Sequence, residues 1–396
     1  MTVYYILLAF VLLAGWYVFE YKKSKQGAVA FMIITAVALV AVATLRYSIG
    51  FDYFSYETIY NDILKLPFGQ AVSTDIYKSF PLYAALNWVI GAAGGNYTIL
   101  LLICNILMTG CVFWVIWRYS KLPWMSVFVY ITLQFFAHTM NLFRQSIAMA
   151  IILLAYGALR ERKPIPYFIL ILLAATIHVS ALVMLPVYFI INLEPNWKQY
   201  AVLGGGTLLF YIFSDTLFTL VTSTIFTQYA SYKDSIYWKG SSAYYLVVPA
   251  IYFGIVLLFH KKLMEMDSRN KILINSAFYT FLLYFLMTRH FIFERLSIYV
   301  FPFAVLLIQE IIDSFKIETL PEPGKGGKLS KEIRQARLEE KNAKFYRNWA
   351  IGTVVFICFI YFGFAVSRGY HKVYPYVSIF NKEAAVSNED YVMGDR

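Results

Sequence analysis

The chain is poor in charge. Only 14% of its 396 residues are Asp, Glu, Lys or Arg, against roughly 25% in a typical soluble protein. Hydrophobic residues make up 60% of the chain, and its mean hydropathy is +0.60. Uncharged apolar runs recur along the whole sequence, many of them near the roughly 20 residues with which a helix spans a bilayer. The composition therefore excludes an ordinary soluble domain and predicts an integral membrane protein with several spans.

Several kinds of site are also missing. Cys104, Cys111 and Cys358 are the three cysteines, and all lie inside apolar runs, which excludes a disulfide framework and a CxxC site. No His, Cys or carboxylate cluster has metal-ligand spacing, and no glycine-rich phosphate loop or serine nucleophile elbow occurs. We therefore expect no metal ion and no other cofactor. The apolar runs are nearly free of acidic residues, which argues against ion-coupled transport.

The apolar runs are continuous rather than alternating, so they predict an all-α fold. We expect about twelve transmembrane helices, roughly at 3–19, 27–45, 98–117, 123–139, 142–159, 164–177, 179–193, 199–222, 243–260, 272–288, 293–313 and 347–367. Residues 81–93 are too short to span and predict a re-entrant or interfacial helix. The stretch 164–193 is read as two segments broken near His178, because a single span would move the basic loop 261–271 outward.

The basic residues set the predicted orientation. With Lys22, Lys23 and Lys25 in the cytoplasm, the cytoplasmic segments collect most of the 34 Lys and Arg residues, as the positive-inside rule requires. The net charge of +11 is thereby explained without a nucleic acid partner. The predicted organisation is a membrane domain (1–313, outer loops 46–80 and 223–242), a cytoplasmic charged linker or amphipathic helix (314–346), a last span (347–367) and an extracytoplasmic tail (368–396).

Polar residues gather at the predicted outer face, where ionisable groups often mark a substrate path. They are Arg46, Asp52, Glu57, Arg144, Gln145, His178, Arg289, His290, Glu294 and Arg295. Each has a structural alternative: arginines can snorkel to headgroups, Asp52 can cap a helix or pair with Arg46, and His178 can be a packing residue. The aromatics of RYSIGFDYFSY (46–56) suit an interfacial belt and sugar stacking equally well.

Arginine points to one kind of ligand. Its planar guanidinium binds phosphate oxygens in a bidentate fork and keeps its charge in apolar surroundings. Several arginines at a membrane surface therefore favour a lipid-linked phosphate or diphosphate.

Five motifs carry a resemblance to a known family. RYSIGFDYFSY, NLFRQSIAMAI, AATIHVSALVMLPVY, FERLSIYVFPF and HKVYPYVSIF occur in this order between residues 46 and 380. Together they resemble the EpsG-like family of Wzy-type exopolysaccharide and O-antigen polymerases. The resemblance implies a GT-C-like helical membrane fold in the bacterial cytoplasmic membrane. It also implies transfer of a glycan from undecaprenyl diphosphate to the non-reducing end of the next lipid-linked repeat unit, outside the cell.

The implied chemistry assigns roles to the polar residues. Arg144, Arg289 and Arg295 would bind the diphosphate, and Arg46 would join them or hold Asp52. His178 or Asp52 would take the acceptor proton, with His178 slightly preferred for its near-neutral pKa. Tyr53, Tyr56 and Gln145 would hold sugars, and no metal would take part.

The partners implied are the undecaprenyl-diphosphate-linked oligosaccharide, membrane lipid, and the flippase and chain-length regulator of the same pathway. Alternative functions are a polysaccharide flippase or exporter, an O-antigen ligase, and a membrane acyltransferase that modifies the polymer.

Overall fold

The computed structural model describes residues 2–224, 227–235, 238–316 and 331–384. In these ranges the chain is helical, and β-pairing is limited to one isolated antiparallel bridge between Arg46 and Ser378. The α-helices are Thr2–Trp16, Lys25–Thr44, Tyr53–Ile63, Phe68–Ser73, Pro81–Ala92, Tyr97–Tyr119, Pro123–Thr132, Phe135–Asn141, Phe143–Leu154, Tyr156–Arg160, Pro164–Ala175, Met184–Ile190, Trp197–Thr224, Val247–Met266, Lys271–Met287, Ile292–Ser297, Ala304–Asp313 and Lys331–Ser367.

Short π and 3₁₀ segments connect or extend these helices. They are Tyr17–Lys22 (π) and the 3₁₀ turns Val179–Val183, Thr227–Asp234, Ala243–Leu246, Ser268–Asn270, Phe301–Phe303 and Tyr370–Lys372.

Seven helical segments in the described part of the chain are long and apolar enough to cross a membrane. They are Thr2–Lys22, Lys25–Thr44, Tyr97–Tyr119, Phe143–Arg160, Trp197–Thr224, Ala243–Met266 and Arg334–Ser367. The chain is thus an all-helical integral membrane protein, as its composition predicts. Shorter apolar helices occupy other predicted spans, among them Pro123–Thr132 and Pro164–Ala175, so the count of twelve crossings stays a prediction.

The two irregular stretches expected from the sequence are present. A helix ends at Ala175, His178 has an extended backbone, and a 3₁₀ turn begins at Val179, which is the predicted break near His178. Pro81–Ala92 forms a separate short helix that begins with proline, where the missing N–H costs no helical hydrogen bond.

The centre of the protein is packed around short helices. Every residue of Pro123–Thr132 is buried, and this helix contacts Thr2–Trp16 and Ala304–Asp313. By contrast, Trp197–Thr224 and Val247–Met266 bury few of their residues within the protein. Such a surface is what a lipid-facing helix presents.

The charged linker and the last predicted span are not separate elements where the structure describes them. Residues 317–330, which hold the predicted breaker-rich linker, lie outside the described residues. From Lys331 a single helix continues to Ser367. Arg347 in this helix donates two hydrogen bonds to the Glu20 carboxylate, at 2.8 and 2.9 Å, which ties the helix to the N-terminal one.

After this last helix the chain folds back over the segment that follows the second helix. Tyr47 N–H donates to the Val377 carbonyl, and Gly50 N–H donates to the Lys372 carbonyl, both at 2.9 Å. Residues 385–396 of the predicted tail lie outside the described residues. The described part of the tail therefore holds the loop that carries Asp52.

Candidate active site

A glycine lets the Asp52 loop approach its neighbour. Gly50 has φ +90°, and a Cβ on it would overlap the carbonyl oxygen of Met140. Asn141 then receives the Phe51 N–H on its Oδ1 at 2.9 Å. These contacts place Asp52, which precedes the Tyr53–Ile63 helix, beside the short Phe135–Asn141 helix.

Asp52 lines a cavity of about 740 Å³. The walls of this cavity come from the segment after Lys25–Thr44, the end of Lys271–Met287, the start of Ala243–Met266 and the end of Lys331–Ser367. The lining residues are Phe51, Asp52, Leu133, Gln134, His138, Asn141, Leu142, Ser242, Tyr244, Tyr245, Val248, Pro249, Tyr284, Met287, Phe291, Glu294, Arg295, Phe301, Tyr361, Phe364, Arg368, Gly369, Tyr370 and His371.

Arg295 is the member of the predicted arginine set that lines this cavity together with Asp52. Burial raises the pKa of the Asp52 carboxyl, while the positive charges of Arg295 and Arg144 lower it. A carboxylate in such a setting is a stronger base than an exposed one and still has cationic neighbours that favour its ionised form.

Arg144 lies in an aromatic cage beside this pair. The guanidinium carbon of Arg144 lies 3.9 Å from the ring centre of Phe80, 5.8 Å from that of Tyr56 and 5.9 Å from that of Tyr83. Its Nε is buried without a hydrogen-bond partner. Stacking of this kind fixes the plane of the guanidinium, and a lysine ammonium at this position could not stack in the same way.

His178 belongs to a hydrogen-bonded group next to the same arginines. Its Nδ1 lies 2.7 Å from Ser180 Oγ, which is 2.8 Å from the Tyr299 hydroxyl. Burial, with the positive charges of Arg144 and Arg295, lowers the pKa of His178 to about 3. The imidazole is therefore neutral at physiological pH, but it is not among the residues that line the cavity.

Two predicted arginines lie elsewhere. Arg46 is 1% exposed. It donates to the Ala43 carbonyl and lies 5.4 Å from the Phe143 ring centre. Arg289 is half-exposed and forms an ion pair with Asp215 at 2.9 Å. The structure thus brings Asp52, Arg144, Arg295 and His178 together, while Arg46 is inside the core and Arg289 pairs outside the cavity.

The residues predicted to hold sugars are buried. Tyr53 and Tyr56 are 5% and 8% exposed, and their rings pack edge-on against Tyr97 and Tyr83. Gln145 donates from Nε2 to the backbone carbonyl of Arg295. Its contact in the structure therefore positions Arg295 instead of reaching the cavity.

Sequence reasoning missed most of the cavity wall. Its aromatic residues include Phe51, Tyr244 and Tyr370, and the side chain of Phe51 is 65% exposed. His138 and His371 also line it. Tyr244, Tyr370 and His138 come from segments that are far apart in the chain and otherwise look like membrane helix or tail. Phe51 belongs to the RYSIGFDYFSY aromatics, for which sugar stacking was one alternative, and His371 begins the motif HKVYPYVSIF.

Comparison with known protein families supports the resemblance carried by the five sequence motifs. A family model described as the EpsG family matches residues 29–319. The chain belongs to the EpsG family. Comparison with curated proteins and with solved structures finds no match. Membership in the EpsG family makes the chain an exopolysaccharide-related membrane polymerase of a glycosyltransferase-like kind, with a lipid-linked oligosaccharide as substrate.

The EpsG match includes Asp52, Arg144, His178 and Arg295 but ends before the C-terminal tail. The tail nevertheless supplies Arg368, Gly369, Tyr370 and His371 to the cavity wall. The site of this EpsG protein is thus built from both the matched region and a segment beyond it.

Proposed function

We propose that this chain joins undecaprenyl-diphosphate-linked oligosaccharide repeat units at the extracytoplasmic face of the bacterial cytoplasmic membrane. The growing glycan passes from its lipid diphosphate to the non-reducing end of the next lipid-linked unit. A GT-C-like arrangement with about twelve crossings belongs to this proposal. The observation that carries it is a carboxylate, Asp52, and a guanidinium, Arg295, on the wall of one cavity.

Each partner of the reaction has a suitable group in this cavity. The acceptor hydroxyl oxygen attacks the anomeric carbon of the donor, and its proton passes to Asp52. The bond from that carbon to the diphosphate oxygen breaks, and the leaving group takes the electron pair. Arg295 lines the cavity, so it supplies fixed positive charge where the negative charge of the diphosphate develops.

Asp52 replaces His178 as the preferred base in this proposal. It lines the cavity, whereas the Nδ1 of His178 lies in a hydrogen-bonded group with Ser180. Arg144 acts on both groups through its charge. We assign Arg144 to the electrostatics of Asp52 and the diphosphate, and His178 to holding Ser180 and Tyr299 in place.

The sugars are assigned to the exposed aromatic wall of the cavity. Phe51, Tyr244 and Tyr370 line the cavity, and aromatic faces complement the apolar faces of pyranose rings. Tyr53 and Tyr56 pack in the core against Tyr97 and Tyr83, so they are not assigned to the sugars. Gln145 fixes the backbone at Arg295.

The direct test is reconstitution of the purified protein with a defined lipid-linked repeat unit. We expect a ladder of products that differ by one repeat unit, and no ladder from an Asp52→Asn variant that is expressed and monodisperse. A single addition to a different acceptor would identify a ligase. Substrate transport without bond formation would identify a flippase, and a new acyl substituent on unchanged chains an acyltransferase.

A further inference from the structure

Three ligand-type side chains meet on the cavity wall. His138, Glu294 and His371 come from three segments of the chain, and one ligand atom of each lies within 4.8 Å of the other two. In the part of the chain that the structure describes, this is the one group of at least three His, Cys, Asp or Glu side chains so close together. All three line the same cavity as Asp52 and Arg295.

A purely structural role does not explain the buried imidazole of His138. It is 7% exposed, and its Nδ1 is buried without a hydrogen-bond partner. Buried polar atoms in folded proteins are nearly always hydrogen-bonded. A buried ring nitrogen without a partner, on a side chain that lines a cavity beside a carboxylate and a second imidazole, is in the setting of a metal ligand.

The backbone of the tail is held in an unusual conformation to bring His371 to this place. His371 and Lys372 have φ +61° and +51°, in the left-handed region that residues other than glycine seldom adopt. Lys372 is fixed there by the hydrogen bond from Gly50 N–H to its carbonyl. Such strain persists only where the surrounding contacts enforce it, and it clusters at functional sites.

His138 and Asn141 contact the ring of His371 and fix its orientation. Its ring centre lies 4.2 Å from that of His138, with the rings inclined at 78°. Asn141 Oδ1 already accepts the Phe51 N–H, so Asn141 Nδ2 donates to His371 Nδ1 at 3.2 Å. An ion bound at Nδ1 would displace this hydrogen bond. Asn141 also binds the Asp52 loop through Phe51 N–H, which links the group to the active carboxylate.

We propose that His138, Glu294 and His371 bind one divalent transition-metal ion. Two imidazoles and one carboxylate form a donor set that suits Zn²⁺ and similar ions, whereas Mg²⁺ and Ca²⁺ prefer oxygen ligands alone. Three protein ligands leave a coordination position open, as catalytic sites do. Because all three side chains line the cavity, an ion held by them would be accessible to an anionic oxygen there. On the proposed function, that oxygen belongs to the diphosphate of the lipid carrier.

This inference departs from the metal-independent enzyme expected from the sequence. The three ligands are separated by 156 residues between His138 and Glu294 and by a further 77 to His371. No local spacing rule finds such a set. The arginines keep their role, and the ion adds a second source of positive charge on the same wall.

The test measures metal binding without substrate, so it does not depend on polymer formation. Purified full-length protein with its affinity tag removed is stripped with a chelator and titrated with Co²⁺ and then Zn²⁺. We expect one Co²⁺ per chain with a visible d–d absorption band, and loss of that band when Zn²⁺ displaces Co²⁺. His138→Ala, His371→Ala and Glu294→Gln should each weaken binding by about 100-fold or more, because losing a ligand exceeds the 10- to 100-fold effect of outer-shell changes.

The matched control is His260→Ala. His260 is outside the cluster, and its Nδ1 lies against the Leu257 carbonyl at 3.0 Å, so we expect wild-type metal binding. Glu294→Gln keeps size and shape and serves where a histidine variant does not fold. Wild-type protein that binds no stoichiometric Co²⁺ overturns the proposal, as does unchanged binding in a well-folded His138→Ala or Glu294→Gln variant. A failed product ladder with normal metal binding would count against the polymerase function alone.

Discussion

Arg289 and Arg295 were expected to act alike, and the structure predicts that they do not. Both belong to the TRHFIFER segment, six positions apart. Arg295 lines the cavity with Asp52, whereas Arg289 pairs with Asp215, with side chains 42% and 48% exposed. The perturbation is the same neutralising substitution at each position, Arg295→Gln and Arg289→Gln, which makes one variant the control for the other.

The expected magnitudes differ widely. Removing a preorganised positive group from the place where charge develops costs about 2.7–4 kcal/mol of transition-state stabilisation, or roughly 10²- to 10³-fold in rate. An exposed ion pair such as Arg289–Asp215 contributes roughly 0.2–1 kcal/mol to stability. Even if all of that energy affected the rate, the change would be about fivefold. The predicted gap between the two variants is therefore at least tenfold.

The assay is the rate of the first transfer between two defined lipid-linked units, followed as the dimeric product with equal amounts of monodisperse protein. Arg295→Gln should fall by the larger factor and Arg289→Gln should remain near wild type. Equal losses in both variants would refute the reasoning, because they would show that lining the cavity does not separate active arginines from surface ones. Full activity of Arg295→Gln would remove the guanidinium from the mechanism.

Three further predictions follow. Burial raises the pKa of Asp52 above the roughly 3.9 of a free aspartate. With Asp52 as base, kcat/KM should therefore fall tenfold per pH unit once the pH is below that raised pKa. With His178 as base, activity would persist towards pH 3, since the pKa of His178 is lowered to about 3. Gly50→Ala should destabilise the protein by roughly 2–5 kcal/mol in thermal or denaturant unfolding, because its Cβ would overlap the Met140 carbonyl. Deleting residues 369–396 should abolish product formation, because the described tail carries cavity residues.

Each of these predictions has its own comparison. An acid limb near pH 3 in the wild type, unchanged in an Asp52 variant that still turns over, would return the role of base to His178. Gly110→Ala is the control for Gly50→Ala, because nothing lies within 4 Å of its Cβ position, and equal destabilisation of both would refute the close-approach argument. Removing only residues 385–396 leaves the described tail contacts in place, so loss of activity in that shorter deletion would contradict the assignment to residues 369–384.

The sequence predicted the parts of this protein that follow from local physics. Apolar runs predicted the helical membrane class, a run too short to span predicted a separate helix at 81–93, and the charge rule led to the break near His178. Asp52, Arg144 and Arg295 were chosen because charge at membrane depth is costly and usually functional. The structure brings these three together with His178, although their roles remain proposals.

What could not be predicted depends on contacts between distant segments. An arginine directly after an apolar run reads as interfacial, yet Arg46 is buried because the C-terminal tail packs over it, with the bridge to Ser378 more than 300 residues away. Tyr53 and Tyr56 are buried against Tyr97 and Tyr83. Their burial could not be predicted, because aromatic residues look alike at an interface, in a core and on a sugar platform. His138, Glu294 and His371 meet only through the tertiary fold.

The tail connects these observations. Its backbone pairs with the 45–50 segment through Tyr47, Gly50 and Leu45, while its side chains reach the cavity at Arg368, Tyr370 and His371. One short segment thus both holds the loop that carries Asp52 and supplies part of the cavity wall. The tail contacts both the Asp52 loop and the Phe135–Asn141 helix. These contacts enforce the left-handed backbone at His371 in spite of its energetic cost. The Asp52 carboxylate and the proposed metal ligands are thus held by the same backbone contacts.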